Sequence, residues 1–346
     1  MKVLVDIVHP ADVLFFLNPI KELRLNGHEI RIVSRVKDVT CELLDLYGLE
    51  HKPISKAKKG VIGLGLELIK RDISLFKEVR NFRPDVMAGF GGVSISHVGK
   101  LLGVPSLSFY DTEKANLQLR LTTPFITHMY VPDSYQGKLP KGKSTIFPGI
   151  KDFSYFHKDN FKPDMESAIK AGFVPNKKNY FIRLVAWNAN HVFGVNGWND
   201  AVLADVLDYL TNELDGVVHL STEDELPDTF SKYLYKGDKH LIHHLLAHCE
   251  MYIGESATMA GEAVMLGVPA VYAANDQRGY TDELANLGLL WTLLDIQAGA
   301  ICKFVERVQK VKGPQWDERF EQFYKGKINL SHYIRDEIVK HGSKAQ

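Results

Sequence analysis

One segment of the second half, from Glu250 to Ala263, carries the residue pattern most typical of a binding site. A buried strand is predicted to end at Gly254, and a helix to begin near Thr258 after a turn of small residues. The free amides of a helix start, together with the macrodipole, suit a phosphate or pyrophosphate. Glu262 lies one turn beyond Thr258 on the same helical face, where its carboxylate can accept hydrogen bonds from the two hydroxyls of a ribose. The alternative is an ordinary helix N-cap with Glu262 as a solvated surface charge.

Ionisable residues also follow two predicted strands of the first half. His9 comes where the first strand ends, and Asp111 ends another strand at the same sheet edge. Because imidazole titrates near neutral pH, we predict that His9 is a general base. The alternative is that His9 only positions substrate or caps the strand. Asp12 and Glu113 are reserve carboxylates in the same loops, whereas His97 is expected to be structural.

A histidine-rich run raises the question of a metal site: His240, His243, His244, His248 and Cys249. Two of these histidines have i,i+4 spacing, but no third ligand has a characteristic spacing, and the intervening Leu-Leu-Ala is the apolar face of a short packed helix. The chain also lacks any Asp-x-Asp, so a diphosphate clamp built on a divalent metal has no sequence support. We therefore predict no metal.

These residues are positioned by strands and helices that alternate through both halves. The predicted strands are 3–8, 29–33, 85–90, 106–110 and 129–132 (the final strand of the first half), then 180–185, 216–220, 251–253 and 270–272. Intervening helices of ten or more residues imply crossovers, and hence parallel sheets covered on both faces. We predict an α/β fold of two doubly wound Rossmann-like domains, with a cleft between the carboxyl ends of their strands.

The domain boundaries follow from where this periodicity is lost. The stretch around 147–163 is predicted to be the hinge, which gives an N-terminal domain over 1–150, a C-terminal domain over 151–325 and a C-terminal helix or tail over 326–346. Helices near 299–311 and 315–325 could cross back to the first half.

The composition excludes several classes of protein. With 346 residues, 45% of them hydrophobic and 24% charged, the chain is typical of a globular protein of two domains. Its 42 Lys and Arg balance 42 Asp and Glu, so no overall charge attracts nucleic acid. Three cysteines without a C-x-x-C pair argue against a disulfide framework and favour a reducing cytoplasm. No signal-peptide pattern and no apolar run of about 18 residues is found, which predicts a soluble cytoplasmic protein.

One segment leaves room for a peripheral contact with the inner face of a membrane. Residues 56–71 combine Lys56, Lys58, Lys59, Lys70 and Arg71 with an apolar run from 61 to 66. Such a segment can rest on an anionic bilayer, which would suit a lipid-linked acceptor. The alternative is a mobile acceptor-side loop that leads into a packed helix.

The segment from Gly254 to Ala270 reads Gly-Glu-Ser-x-Thr-Met-x-x-Glu-Ala-x-x-Leu-Gly-x-Pro-Ala. It resembles the C-domain donor motif of the GT-B glycosyltransferase and UDP-GlcNAc 2-epimerase superfamily, and the chain most resembles the DUF354 family within it. Further matching stretches occur in the same order: His9-Pro10 with Phe15-Phe16; Asp111-Thr112-Glu113; Leu121-Thr122-Thr123-Pro124-Phe125; Arg183, Trp187, Ala189 and His191; and Gly279-Tyr280-Thr281-Asp282-Glu283-Leu284.

The resemblance implies a GT-B fold and a role for each matching residue. A sugar nucleotide, usually linked to uridine diphosphate (UDP), would be held by the C-terminal domain, with the acceptor at the N-terminal domain. The substrate-binding set it implies is Arg183 and His191 at the diphosphate, His243 near the base, Ser256, Ala257 and Thr258 at the pyrophosphate, Glu262 at the ribose, and Glu255 and Met259 beside them. Arg183 as a salt bridge at a strand end and His191 as a loop cap are the alternatives. The spacing of His9 and Asp111 resembles a histidine base oriented by an aspartate in plant-type GT-B transferases.

The expected function is therefore transfer of a sugar from a UDP-sugar to a cell-surface glycan or glycolipid precursor, with no cofactor besides the donor substrate. A UDP-GlcNAc 2-epimerase is the first alternative, since Glu255 and either Asp282 or Glu283 supply carboxylates for proton transfer at the hexose. A sugar-nucleotide-binding protein without catalysis is the second.

Overall fold

The chain forms two compact units, one of residues 1–160 with 328–346 and one of residues 161–327. The computed structural model describes residues 1–58, 60–113, 115–185, 198–223, 225–274, 278–311 and 313–344. The first division, after Asn160, falls within the stretch predicted to be the hinge. The expectation that the helices near 299–311 and 315–325 could cross back is wrong, because both lie in the second unit and only the last helix returns to the first.

The first unit is built on a seven-stranded sheet in the order β3-β2-β1-β4-β5-β6-β7, with every neighbouring pair parallel. Its strands are β1 (Lys2–Ile7), β2 (Glu29–Val36), β3 (Lys52–Lys56), β4 (Val86–Phe90), β5 (Ser106–Phe109), β6 (His128–Pro132) and β7 (Ser144–Phe147). The prediction that the strand at 129–132 is the last is wrong, since β7 pairs with β6 beyond it. Both unpredicted strands, β3 and β7, lie at sheet edges, where only part of each strand is buried and no apolar run develops.

Helices connect these strands and cover the sheet: α1 (Pro10–Leu25), α2 (Thr40–Leu46), α3 (Val61–Phe82), α4 (Val93–Leu102), α5 (Asn116–Thr122), α6 (Phe153–Phe156) and α14 (Leu330–Ser343). Helix α14 is tied to α1 by hydrogen bonds from Arg335 Nη1 and Ser331 Oγ to the carboxylate of Glu22, both 2.9 Å. Within the described ranges, no helix combines the length and the apolar character needed to cross a membrane.

The second unit is built on a five-stranded sheet in the order β12-β11-β10-β8-β9, again parallel throughout. Its strands are β8 (Lys178–Leu184), β9 (Gly216–Thr222), β10 (Met251–Gly254), β11 (Ala270–Ala273) and β12 (Leu290–Leu293). Its helices are α7 (Met165–Lys170), α8 (Asp200–Asp208), α9 (Ile242–Leu246), α10 (Ala257–Met265), α11 (Gly279–Asn286), α12 (Ala298–Val311) and α13 (Pro314–Lys325). The central strand β10 is buried at all four residues, as its uninterrupted apolar run predicts for a sheet covered on both faces.

Candidate functional site

The turn from β10 to α10 is held against the end of β8. The amide of Glu255 donates to the carbonyl oxygen of Arg183 at 2.9 Å, and the hydroxyl of Tyr252 contacts both the amide and the carbonyl of Ser256, at 3.2 and 3.1 Å. A Cβ atom at Gly254 would lie 2.1 Å from that same Arg183 oxygen, so only glycine allows the two strands to approach this closely. The carboxyl ends of β8 and β10 are therefore fixed together beneath the start of α10.

The N-terminus of α10 offers two free amides. Ser256 is the N-cap, and its hydroxyl accepts from the amide of Met259 at 3.2 Å. The amides of Ala257 and Thr258 have no protein acceptor among the residues that the structure describes. Two unpaired donors at the positive end of a helix dipole, at the carboxyl edge of a parallel sheet, form a site suited to a phosphate or diphosphate.

Glu262 lies one turn into α10 and is only 6% exposed. Its Oε2 atom is 3.1 Å from Nε2 of His243, which is also buried and belongs to α9. The interpretation of Glu262 as a solvated surface charge is therefore wrong. The pairing joins two residues that the sequence placed in the same binding site by resemblance, the ribose carboxylate and the histidine expected near the base.

Arg183, at the end of β8, is held by residues of the neighbouring strand β9. Its guanidinium donates to Ser221 Oγ at 2.8 Å and to the carboxylate of Glu223 at 2.7 Å. Register explains the first contact, because Arg183 and Ser221 are directly paired across β8 and β9. The salt bridge at a strand end is thus present, while Glu223 remains half-exposed and so able to exchange this contact for another anion. His191, the other residue assigned to the diphosphate, lies outside the described residues.

Glu255 is the carboxyl group nearest to this turn. Burial raises its pKa to about 7, outweighing the hydrogen bond from the amide of Val185, and the charge of Glu223 adds to the rise. A carboxyl group that titrates near neutral pH can both donate and accept a proton under working conditions. Of the other acidic candidates, Glu283 is ion-paired with Lys327 at 2.7 Å, and Asp282 lies in the first turn of α11.

Replacing Gly254 by alanine should destabilise the protein by about 3 kcal/mol or more, because the new methyl group must push β8 and β10 apart. Urea unfolding of the variant measures this loss. Gly267→Ala is the matched control: its φ of +80° is also left-handed, but nothing lies within 4 Å of the added carbon. The control should lose only about 1 kcal/mol, and equal losses in the two variants would contradict the close-approach explanation.

The free energy of unfolding of Glu255→Gln, relative to that of the native protein, should increase as the pH rises from about 5 to 8. The folded-state pKa of Glu255 is raised to about 7 from 4.5, so between these values the folded protein keeps a proton that the unfolded chain has lost. The native protein therefore loses stability as the pH rises through that window. Glutamine does not titrate, so the variant lacks this pH-dependent loss. Urea midpoints at four pH values measure the difference, and a difference that stays constant with pH would contradict it.

In the first unit, His9 is the N-cap of α1. Its Nδ1 accepts from the amide of Ala11 at 3.3 Å, so in the neutral ring the hydrogen is on Nε2 and the lone pair able to take a proton is on Nδ1. Loss of hydration among its neighbours and the positive charge of Lys37 lower the pKa of His9 to about 4, while part of the residue stays accessible to solvent. The ring is therefore neutral near pH 7, the form that a general base requires.

Three carboxyl groups surround this end of the sheet. Asp12 is buried and accepts from the amides of Val8 and His9, at 3.0 and 2.9 Å. Burial raises the pKa of Asp12 to about 7 against these hydrogen bonds, with the charge of Asp111 contributing to the rise. Glu113 is the third carboxylate, and its Oε1 accepts from the amide of Gln136 at 3.4 Å.

Asp111 is buried just beyond the end of β5. Its Oδ1 accepts from the hydroxyl of Thr112 at 2.9 Å, whereas Oδ2 has no partner within the described ranges. His9 and Asp111 are not hydrogen-bonded to each other among those residues, so the orienting role of Asp111 stays a prediction. The hydroxyls of Tyr110 and Tyr135 close by are also buried and unpaired, a feature that the apolar pattern of the strands gave no reason to expect.

Two further histidines, His97 and His244, have structural partners. His97 joins three helices, with Nδ1 2.8 Å from Asp72 of α3 and Nε2 3.0 Å from the carbonyl of Leu121 in α5. His244 accepts from the amide of Asp164 at 3.0 Å. In the part of the chain that the structure describes, no group of three His, Cys, Asp or Glu residues is arranged to hold a metal ion.

Comparison with solved structures defines the class of this architecture. The chain superposes on the UDP-GlcNAc 2-epimerase from Methanocaldococcus jannaschii with a TM-score of 0.70 and 13% identity, covering 99% of this chain and 100% of that chain. The epimerase from Neisseria meningitidis, bound to UDP-GlcNAc, gives 0.69 and 14% over 98% and 99%. The spinosyn rhamnosyltransferase SpnG, complexed with thymidine diphosphate, gives 0.65 and 16% over 97% and 99%. The two parallel α/β units are those of the GT-B fold, as the sequence predicted.

Within that class, the chain belongs to the family described as "Protein of unknown function (DUF354)", whose profile matches residues 1–285. A curated relative, an uncharacterized protein from Methanocaldococcus jannaschii, is 23% identical over 285 residues, which cover 78% of this chain and 81% of the relative. Family membership therefore confirms the resemblance drawn from the motifs.

Proposed function

We propose that the protein is a metal-independent glycosyltransferase that moves a sugar from a UDP-sugar to a hydroxyl of a cell-surface glycan or glycolipid precursor. The observation that carries this proposal is the start of α10, where two unpaired amides are followed one turn later by a buried carboxylate. The solved GT-B proteins that share the fold include enzymes crystallised with UDP-GlcNAc and with thymidine diphosphate. These bound molecules support a nucleotide-linked sugar as the class of donor.

The second unit supplies the donor contacts in this proposal. The amides of Ala257 and Thr258 would bind the diphosphate, and Glu262, oriented by His243, would accept from the ribose hydroxyls. Arg183 would exchange its half-exposed partner Glu223 for a phosphate oxygen and so balance the charge that develops on the leaving group.

The first unit supplies the base in this proposal. As the acceptor oxygen bonds to the anomeric carbon, the bond from that carbon to the diphosphate oxygen breaks and UDP leaves with the electron pair. The acceptor proton passes to Nδ1 of His9, the ring nitrogen that carries no hydrogen, and takes the place of the hydrogen bond from the amide of Ala11. The ring is neutral at the start because the pKa of His9 is lowered. Asp111, with an unpaired buried oxygen beside this edge of the sheet, would stabilise the protonated imidazole.

A UDP-GlcNAc 2-epimerase is the second candidate, and one observation favours it. Glu255 has a pKa of about 7 at the mouth of the β10–α10 turn, and proton removal from C2 of a hexose needs a group of that kind. Against it, Glu283 is committed to an ion pair with Lys327.

Two measurements on the full chain test these assignments. UDP and UDP-sugars should raise the melting temperature, since a ligand at 100 times its dissociation constant stabilises by about 2.7 kcal/mol. Incubation with UDP-GlcNAc alone should give only slow hydrolysis, with turnover appearing when a glycan or glycolipid acceptor pool is added. ManNAc or UDP-ManNAc formed without an acceptor would establish the epimerase instead. Binding without turnover on any pool would leave the non-catalytic alternative, and no stabilisation by any nucleotide would overturn all three.

A further inference from the structure

Helix α3 of the first unit has an apolar stripe on its exposed face. Its exposed face carries four large aliphatic residues one turn apart, Ile62, Leu66, Ile69 and Ile73, which are 82%, 57%, 60% and 54% exposed. Its buried residues are three charged ones, Glu67, Arg71 and Glu78, and three apolar ones, Leu75, Val79 and Phe82. A surface helix normally exposes polar residues, so the outward apolar stripe requires a partner that covers it.

Ion pairs fix this orientation of the helix. Arg71 pairs with buried Asp6 of β1, and Glu67 accepts two hydrogen bonds from Arg35 of β2, at 2.6 and 2.7 Å. Glu78 pairs with Lys52 of β3. Rotating α3 to bury its aliphatic stripe would break all of these pairs and leave buried charges uncompensated, which is strongly unfavourable.

The stripe continues onto the neighbouring helices. His97 links α4 to Asp72 of α3 and to α5, and its ring lies 5.2 Å from that of Phe125. Phe125 and, one turn beyond His97 on α4, Leu101 are both exposed. We refer to Ile62, Leu66, Ile69, Ile73, Leu101 and Phe125 together as the α3 surface.

The exposed charges of α3 are cationic. Lys70, Lys77 and Arg80 are exposed along the helix, and Lys56 and Lys58 are exposed just before it. The acidic residues of α3 are Glu67, Asp72 and Glu78, and each is paired with a cation or a histidine. An apolar stripe rimmed by positive charge is complementary to a layer of negative charge over hydrocarbon. A second copy of the chain fits poorly, because a two-fold interface would bring the same cations face to face.

We propose that the α3 surface binds the interface of an anionic lipid bilayer, with the aliphatic stripe inserted below the headgroups and the lysines among them. The contact differs from the one expected for residues 56–71, because Arg71 points inward and the surface reaches Ile73, Leu101 and Phe125. It is independent of the proposed transferase activity, since none of its residues belongs to the donor or acceptor sites.

Sedimentation of the full chain with vesicles tests this proposal. The chain should bind phosphatidylcholine vesicles that contain about one third phosphatidylglycerol, bind pure phosphatidylcholine far less, and be released at high salt. Leu66→Asp with Ile69→Asp should lower the partition coefficient about 10-fold or more. Leu25→Asp is the matched control, because Leu25 is 86% exposed on α1 away from this surface and its replacement should leave binding unchanged.

A charge series separates lipid binding from unspecific hydrophobic adsorption. Lys70→Glu with Lys77→Glu should lower binding about 10-fold and flatten its salt dependence, whereas Lys303→Glu, exposed on α12, should not. All of these positions are exposed, so unchanged melting temperatures should show that the variants fold. Absence of binding to anionic vesicles would overturn the proposal. So would a dimer in sedimentation velocity that Ile69→Asp dissociates, since a second copy would then cover the surface.

Discussion

Replacing Glu262 by alanine is expected to weaken UDP binding about 100-fold or more, as measured by titration calorimetry. A carboxylate that accepts from both ribose hydroxyls makes two charge-assisted hydrogen bonds, each contributing about 1.5–3 kcal/mol. Together they contribute about 3 kcal/mol or more, which exceeds the roughly 2.8 kcal/mol that corresponds to a 100-fold change in affinity. His243 fixes the carboxylate before the ligand arrives, so little ordering cost offsets this contribution.

The control for this variant must account for the loss of a buried pair. Removing Glu262 leaves His243 without that partner, and removing one member of a buried hydrogen-bonded pair costs stability whatever its role in binding. Glu78→Ala removes a buried carboxylate from its pair with exposed Lys52 in the other unit, so it should lose stability yet leave UDP affinity within about twofold. If Glu262→Ala and Glu78→Ala showed the same UDP affinity, Glu262 would be only a structural partner of His243.

Replacing His9 by asparagine is expected to lower turnover by about 10²- to 10⁴-fold while UDP affinity stays unchanged. The first effect is the usual contribution of a general base, and the second follows because the proposed donor contacts are all in the second unit. Steady-state kinetics with an acceptor, together with calorimetry on UDP, measures the two quantities. Asparagine cannot take up the acceptor proton, because its side-chain amide is not basic.

Asparagine also separates catalysis from capping. Nδ1 of His9 caps α1 by accepting from Ala11, and an asparagine oxygen can replace that acceptor, so His9→Asn should keep the melting temperature. His9→Ala would lose the cap as well, at a cost of about 1 kcal/mol. His28→Asn, at the amino edge of the same sheet, is the matched histidine control and should keep full turnover. Full turnover in His9→Asn would show that His9 is only a cap.

Glu262→Ala is expected to lose UDP affinity and His9→Asn to lose turnover, so the two results together test the assignment of both units. The proposed transferase activity is supported if Glu262→Ala weakens UDP binding and His9→Asn lowers turnover without changing UDP affinity. Intact UDP affinity in both, with no turnover in the native chain, points to a donor site elsewhere or to a different ligand.

The central strands and the β10–α10 turn were predictable because their determinants are local. A buried parallel strand reads as an uninterrupted apolar run, and a helix start reads as a capping residue followed by a periodic pattern, as at Ser256. The edge strands β3, β7 and β12 were missed for the opposite reason. Each has four or five residues with mixed burial, which carries too little periodicity to stand out from a loop.

By itself, the sequence determined the class of fold, the order of its central strands along the chain and the turn that would hold a diphosphate. Only the tertiary structure decided which charges are buried and what they face. Glu262 contacts His243, which lies 19 residues away in the sequence, and Arg183 at the end of β8 pairs with Glu223, which follows β9. On α3, Arg71 and Glu67 point inward because they pair with Asp6 of β1 and Arg35 of β2. Such pairings depend on the distance between elements after the chain has packed, and residue spacing along the sequence does not contain that distance.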